Sequence, residues 1–231
     1  MNRRRSIPSA GTSAKSASTA EEATVSTLTI ETSTVSVIAL VGETTIVRRS
    51  PDARHHAETL AALVAEVVEE GGLPDLIVAG TGPAAFTGLR AGLVTARALA
   101  RAWNVPLVGI GSLEVLGRTA LDSGTGPVVA VGDARRKEVY AAEMVPLGVD
   151  DVSVTWGPEV LTAQMLATRG PGRYVGPGAA LYADILAGGT DLEIDPEAMV
   201  RLAKSRISRA EAGEQLDLGT EPRYLRRPDI G

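Results

Sequence analysis

The sequence has no cysteine, one phenylalanine, two histidines and no apolar run close to the length of a membrane span. Each shortage excludes something. Without cysteine there is no disulfide, no thiolate zinc site and no cysteine nucleophile, and the composition fits a reducing, cytoplasmic setting. The two histidines, His55 and His56, are neighbours. Consecutive side chains on a helix point about 100° apart, so they cannot grip one metal from one face. Neither a histidine metal site nor a serine triad is expected, and no metal or cofactor. No apolar run reaches the ~18 residues that would mark a span, so no membrane role is expected. Aromatics make up 3% of a chain that is 44% hydrophobic, which leaves Val, Leu, Ile and Ala to build the core. The formal charge of −5 argues against a broad basic surface for nucleic acid.

What is present divides into blocks, and 231 residues suffice for a substantial core. Residues 1–24 are rich in Ser, Thr and Ala, carry Arg3-Arg4-Arg5 and lack apolar periodicity; a disordered tail is expected there. No apolar stretch follows the arginines as it would in a secretory signal, so export is not expected. Residues 25–122 read as a first lobe and residues 123–231 as a second one with a basic C-terminal tail. The glycine- and proline-containing stretch Asp122–Pro127 separates them.

The first lobe opens as a three-strand meander through Leu28–Ile30, Val35–Leu40 and Ile46-Val47. Its first turn holds Glu31, Thr32 and Ser33, a carboxylate with hydroxyls. Such a turn suits a phosphate or its metal, and equally suits an ordinary turn. A helix over 55–70 follows, closed by Gly71-Gly72 and Pro74. Its apolar positions sweep about 200°, against the ~100° stripe one core contact needs. Either its own domain sandwiches it or a partner covers the excess.

Next comes the stretch around which the lobe is organised, Gly80-Thr81-Gly82-Pro83-Ala84-Ala85-Phe86-Thr87-Gly88-Leu89-Arg90, between a strand at Leu76–Ala79 and a helix over Leu89–Trp103. Free amides at a helix start can cradle an anion. The glycine spacing, however, matches neither G-x-G-x-x-G nor Gly-Lys-Ser/Thr, which favours a structural turn. Phe86 is expected to anchor the loop in the core. Gly92, Ala96 and Ala100 form a small-residue ridge that permits close helix–helix approach. A short strand at Leu107–Ile110 leads to Ser112, expected to cap the helix Leu113–Leu121.

The second block repeats the opening of the first: strand Val128–Gly132, a turn beginning with Asp133, and strand Glu138–Ala142. The basic turn Arg135-Arg136-Lys137 is expected to be solvated, with an acidic partner or RNA as the alternative. Helices are expected at 158–168, 179–186 and 196–209, and a strand at 173–175.

Glu31-Thr-Ser-Thr34, His56-Ala-Glu-Thr-Leu60, Gly82-Pro-Ala-Ala-Phe-Thr-Gly-Leu-Arg90, Ser112-Leu-Glu114, Asp133-Ala-Arg-Arg-Lys-Glu-Val-Tyr140 and Tyr224-Leu-Arg-Arg-Pro228 occur in this order. Together, over Leu28 to Asp229, they resemble the TsaB family, bacterial dimerisation subunits for threonylcarbamoyladenosine synthesis in tRNA. The resemblance implies an α/β fold of two RNase-H-like, actin-like lobes, with mixed sheets flanked by helices. It implies a non-catalytic scaffold that partners the catalytic paralogue TsaD, the ATPase TsaE through the complex, tRNA through the complex, and a second copy of itself when alone. In the paralogue two histidines four positions apart hold a metal; the matching positions here are Ser112 and Leu116, and Leu cannot ligate. Arg135 and Arg136 stand where small residues would admit a phosphate, and Glu31 replaces the usual Asp. The nucleotide loop of Glu31, Thr32, Ser33, Gly82, Thr87, Gly88 and Asp133 is thus expected to be vestigial. The family's first two helices form its dimer interface, which places His56, Leu60, Leu63, Val64, Val67, Leu93, Ala96 and Arg97 at a partner surface.

Two other readings compete. An actin-like ATPase, kinase or peptidase would need Ser33 or Thr87 near a base or metal, and no such constellation shows in the sequence. An RNA-binding module would draw on Arg223, Arg226 and Arg227 with Arg135–Lys137, in an acidic chain with few aromatics to stack on bases.

Overall fold

The computed structural model describes residues 25–51 and 56–226; the tail expected over residues 1–24 lies outside them. Strands β1 (Thr27–Glu31), β2 (Val37–Val41) and β3 (Thr45–Arg49) form the antiparallel meander. Helix α1 (His56–Gly71) then crosses to β4 (Leu76–Gly80), parallel to β1, and α2 (Phe86–Trp103) crosses to β5 (Leu107–Ile110), parallel to β4. Parallel neighbours require such crossovers. The resulting order is β3-β2-β1-β4-β5. Asn104 ends α2 in the left-handed region at φ 55°, its N–H donating to the Ala100 carbonyl.

Helix α3 (Ser112–Asp122) leads into a second sheet of β6 (Val128–Arg135), β7 (Glu138–Leu147), β8 (Asp151–Thr162) and β9 (Tyr174–Val175), ordered β8-β7-β6-β9. The short helices α4 (Ala163–Ala167) and α5 (Pro177–Leu181) and the long α6 (Pro196–Glu211) complete the chain's elements.

Period-two alternation sorts the side chains. On β1, Leu28 and Ile30 face α1 and α2, while on β4 Ile77 and Ala79 do so and Leu76 and Val78 face the other way. On β6, Val128 and Ala130 point inward while Val129 and Val131 point toward α4 and α5. The inner faces of both sheets meet one cluster in which α3 supplies Leu113, Val115, Leu116, Ala120 and Leu121 and α6 supplies Met199, Leu202 and Ala203. Helix α3, which follows the first sheet, packs on the second; α6, which follows the second, packs on the first and on α3. Fully burying each large side chain of this layer contributes about 1.5–3 kcal/mol. A buried ionic cluster seals one end: the Asp151 carboxylate accepts from Arg206 Nε at 3.1 Å, and Arg206 Nη1 reaches Glu114 at 3.0 Å.

Several sequence expectations change here. The apolar excess on α1 is largely internal or small: Leu60, Val64 and Val67 are buried, Leu63 and Val68 half-buried, and only alanines such as Ala61 and Ala65 are exposed among its apolar positions. At the start of the ridge on α2, Gly92 approaches the β1–β2 turn, where a Cβ would lie 2.4 Å from Thr32 Oγ1, while Ala96 and Ala100 share a cluster with Leu60, Val64 and Val67 of α1. No helix spans 158–168. Strand β8 runs through Pro158 to Thr162, because β7 is long enough to pair it along its whole length. The helix start is Thr162, whose hydroxyl accepts the Met165 N–H at 3.2 Å. Likewise α5 is one short turn from Pro177 and not a helix over 179–186. Gly111, not Ser112, precedes α3 as its cap, and the Glu114 carboxylate accepts the Gly111 N–H at 3.1 Å.

Met144 is fully buried in the shared cluster, and its thioether packs where a side chain on Gly117 would otherwise stand. Met144→Ala should therefore lower stability by about 2–5 kcal/mol in denaturant unfolding, at the cost of the cavity it leaves.

Candidate functional site

Where the carboxyl ends of β1 and β4 approach the second sheet, they border a cleft of about 330 Å³. Glu31, Thr32 and Ser33 come from the β1–β2 turn, Ser112 and Leu116 from α3, Asp133 and Arg135 from β6, and Asp191 and Glu193 from the segment before α6. The turn residues and Asp133 that the sequence singled out are thus brought together. Asp191 and Glu193 were not anticipated; they lie in an irregular segment whose path no local pattern fixes.

Glu31 is the most constrained group there. Gly80 leaves space for its carboxylate, since a Cβ at that position would sit 2.2 Å from Glu31 Oε2. The Ser33 N–H donates to Oε1 at 2.6 Å and the Ser112 hydroxyl to Oε2 at 2.8 Å. The Gly82 N–H in turn donates to the Ser112 hydroxyl at 3.2 Å. Burial pushes the Glu31 carboxyl above its ordinary range, and the hydrogen bonds from Ser33 and Ser112 pull it part of the way back. Across the cleft Tyr140 donates to the Ala84 carbonyl at 3.4 Å, tying β7 to the glycine loop. Burial, with the charge of Asp133, raises the Tyr140 phenol as well.

The glycine loop spends its first donors internally. Thr81 N–H bonds the Ile110 carbonyl, and Gly82, at φ 85°, bonds Ser112. Thr87 is exposed and Gly88 buried inside the first turn of α2, and neither lines the cleft. Among the described residues no three carboxylate or imidazole side chains converge closely enough to hold a metal ion.

Phe86 is not the core anchor expected. It is half-buried and stacks on Tyr224 of the C-terminal tail at 5.2 Å, with the Arg90 guanidinium 3.8 Å from its ring centre. Arg90 Nε also donates to the Tyr224 hydroxyl at 2.7 Å. Farther along α2, Arg97 holds Thr220 and Glu221 of the same tail. The tail lies so close to β5 that a Cβ on Gly109 would sit 2.1 Å from the Gly219 carbonyl oxygen.

Of the other residues assigned to a partner surface, Leu60, Val64, Val67, Leu93 and Ala96 are buried between α1, α2 and the first sheet, and Leu63 is half-buried. The His56 side chain lies outside the described residues. What α2 presents outward is Val94, 63% exposed, with Ala98 one turn on. The largest apolar residues of the two helices are thus the ones the first sheet and the helix pair itself cover.

Two sheets with flanking helices and a cleft between them define the actin-like, RNase-H-like architecture. Two solved structures from Pseudomonas aeruginosa share it, one described as an uncharacterized protein with similarity to peptidase YEAZ and the other as YeaZ. Each is 25% identical, covers 87% of this chain and all of its own, and superimposes with TM-scores of 0.72 and 0.71. Residues 50–176, more than half of the chain, match the family model TsaD, tRNA N6-adenosine threonylcarbamoyltransferase, and the chain belongs to that family. Within it the chain is TsaB-like. The TsaB of Escherichia coli, a tRNA threonylcarbamoyladenosine biosynthesis protein, is 29% identical over 142 residues, 57% of this chain and 62% of that protein. An uncharacterized protein of Mycobacterium tuberculosis is 40% identical over 99 residues, 41% of this chain. The chain spans about 45% of the length of that mycobacterial relative.

Because the folded state holds the Glu31 proton more tightly than the unfolded chain, this group favours folding fully below the unfolded value of about 4.3. That contribution fades as pH rises through the higher folded value. Glu31→Gln should accordingly be more stable than the parent at neutral pH, with the advantage vanishing below about pH 4. Thermal melts across pH 3.5–8 would read this out.

Proposed function

We propose that this chain is the TsaB-type, non-catalytic subunit of a cytoplasmic assembly that adds threonylcarbamoyl to the N6 of the adenosine beside the anticodon of tRNA. It binds and activates the catalytic paralogue TsaD, meets TsaE through the complex, and pairs with a second copy when alone. The observation that carries this reading is the fate of the two positions matching the paralogue's metal histidines. Ser112 spends its hydroxyl on Glu31, and Leu116 is buried in the apolar layer shared by the two sheets. An apolar Leu offers a metal no donor, and a hydroxyl already bonded to a carboxylate is a poor substitute for imidazole. The cleft also argues against binding a nucleotide, because Glu31, Asp133, Asp191 and Glu193 all line it and carboxylates repel phosphates.

The docking face is the outward side of α1 and α2, where Ala61, Ala65, Val94 and Ala98 are exposed. Small side chains allow a partner's helices to approach closely, and Val94 supplies the one large apolar contact on α2.

The test is assembly with the catalytic paralogue, followed by size exclusion with light scattering. Val94→Asp should abolish the stoichiometric complex while changing stability by no more than about 0.5 kcal/mol, as surface substitutions do. Val64→Asp, placing a charge in the core, should lose several kcal/mol of stability and fold poorly. A Val94→Asp protein that still co-elutes with the paralogue would overturn the docking face.

A further inference from the structure

We propose that the tip of the β6–β7 hairpin is a phosphate-contacting point through which this chain itself touches RNA. Arg135 pairs with Glu138, so Arg136 and Lys137 alone close the hairpin, at φ 53° and 65°. A two-residue hairpin loop of this kind needs positive φ at both central positions, and Asn-Gly supplies it most readily. Arg135 before it is also left-handed, at φ 63°, just after a register shift between Asp133 and Arg135. Three long cationic side chains in succession therefore occupy backbone that resists them. Such positions persist only where their surroundings hold them, and they concentrate at functional sites.

The surroundings do hold them. Asp133 accepts the Arg135 N–H at 2.8 Å, and Arg226 from the tail donates to the Ala134 carbonyl at 2.9 Å while pairing with Glu138. All three tip residues are exposed, the Arg135 side chain 70% so. Arg135 also pairs with Asp133 at 3.1 Å, and the tip presents three consecutive cationic side chains on a chain whose formal charge is −5. The tip carries no apolar side chain. A protein partner would want an apolar centre to its contact, whereas phosphates are met by exposed Arg and Lys alone. The tail joins the tip to α2, held at one end by Arg97 and at the other by the Ala134 carbonyl. This inference rests on the proposed role in tRNA modification and adds a contact made by this chain.

The experiment titrates unmodified tRNA onto the chain alone at low salt, and onto its assembly with the catalytic paralogue, over a series of salt concentrations. The variant R136N/K137G gives the loop its preferred residues. It should melt about 2–4 °C higher than the parent. It should also bind tRNA roughly tenfold more weakly, with a salt slope shallower by about 1–2. The exchange R136K/K137R, which keeps both charges, should retain binding. Unchanged tRNA affinity and slope in R136N/K137G would overturn the proposal. So would a parent chain that shows no salt-dependent binding on its own, or a variant that loses only the paralogue and not the RNA, which would make the tip a protein contact. Failure of the assembly to form is seen separately by size exclusion and counts against the proposed function, while the titration of the lone chain still decides the hairpin.

Discussion

Two sheets share one layer of helices, and most of the architecture follows from that economy. Each sheet has an inner face that must be covered, and the cover is crossed: α3 comes from the first half of the chain and lies on the second sheet, while α6 comes from the second half and lies on the first. Thr45 of β3 even bonds Glu197 of α6 at 2.7 Å, across 152 residues of sequence. Neither half can bury its own sheet alone. The buried Asp151–Arg206–Glu114 cluster adds to this by joining β8, α6 and α3, with Arg209 and Arg223 pairing the same two carboxylates. With α3 and α6 wedged between them, the two sheets are also poorly placed to hinge apart around the cleft.

The cleft has the outline of a ligand site, and its most buried carboxylate is held by bonds within the fold. Glu31 looks, in sequence, like a residue waiting for a metal or phosphate. In the structure its two oxygens are taken by Ser33 and Ser112, and the carboxylate itself fills the gap that Gly80 leaves. Those contacts make the carboxylate a latch between β1, β4 and α3.

Much of this was legible beforehand, and the misses have physical causes. The meander, the crossover helices, the glycine loop and the last helix declare themselves through periodicity and punctuation. Strand β8 does not: Gly157 and Pro158 imitate a helix start, and only the non-local pairing with β7 overrides them. The outward face of α2 was equally hidden. Leu93 and Ala96 look like contact residues by hydrophobicity, yet Val94, their neighbour, is the one left in solvent. Periodicity reports that a helix has an apolar arc and is silent on which part its own sheet consumes. The tail's role had no local signal, because Tyr224 reads as a lone aromatic until α2 brings Phe86 and Arg90 to it.

The tail has one more consequence. β5 is the outermost strand of the first sheet, and the Gly109 N–H that would otherwise be unpaired there is capped by the Leu218 carbonyl at 2.9 Å. An open strand border is a template for unwanted sheet extension between molecules. The segment clasped by Arg90 and Arg97 thus shields that border, and nicking it near Gly219 would leave β5 open to strand addition.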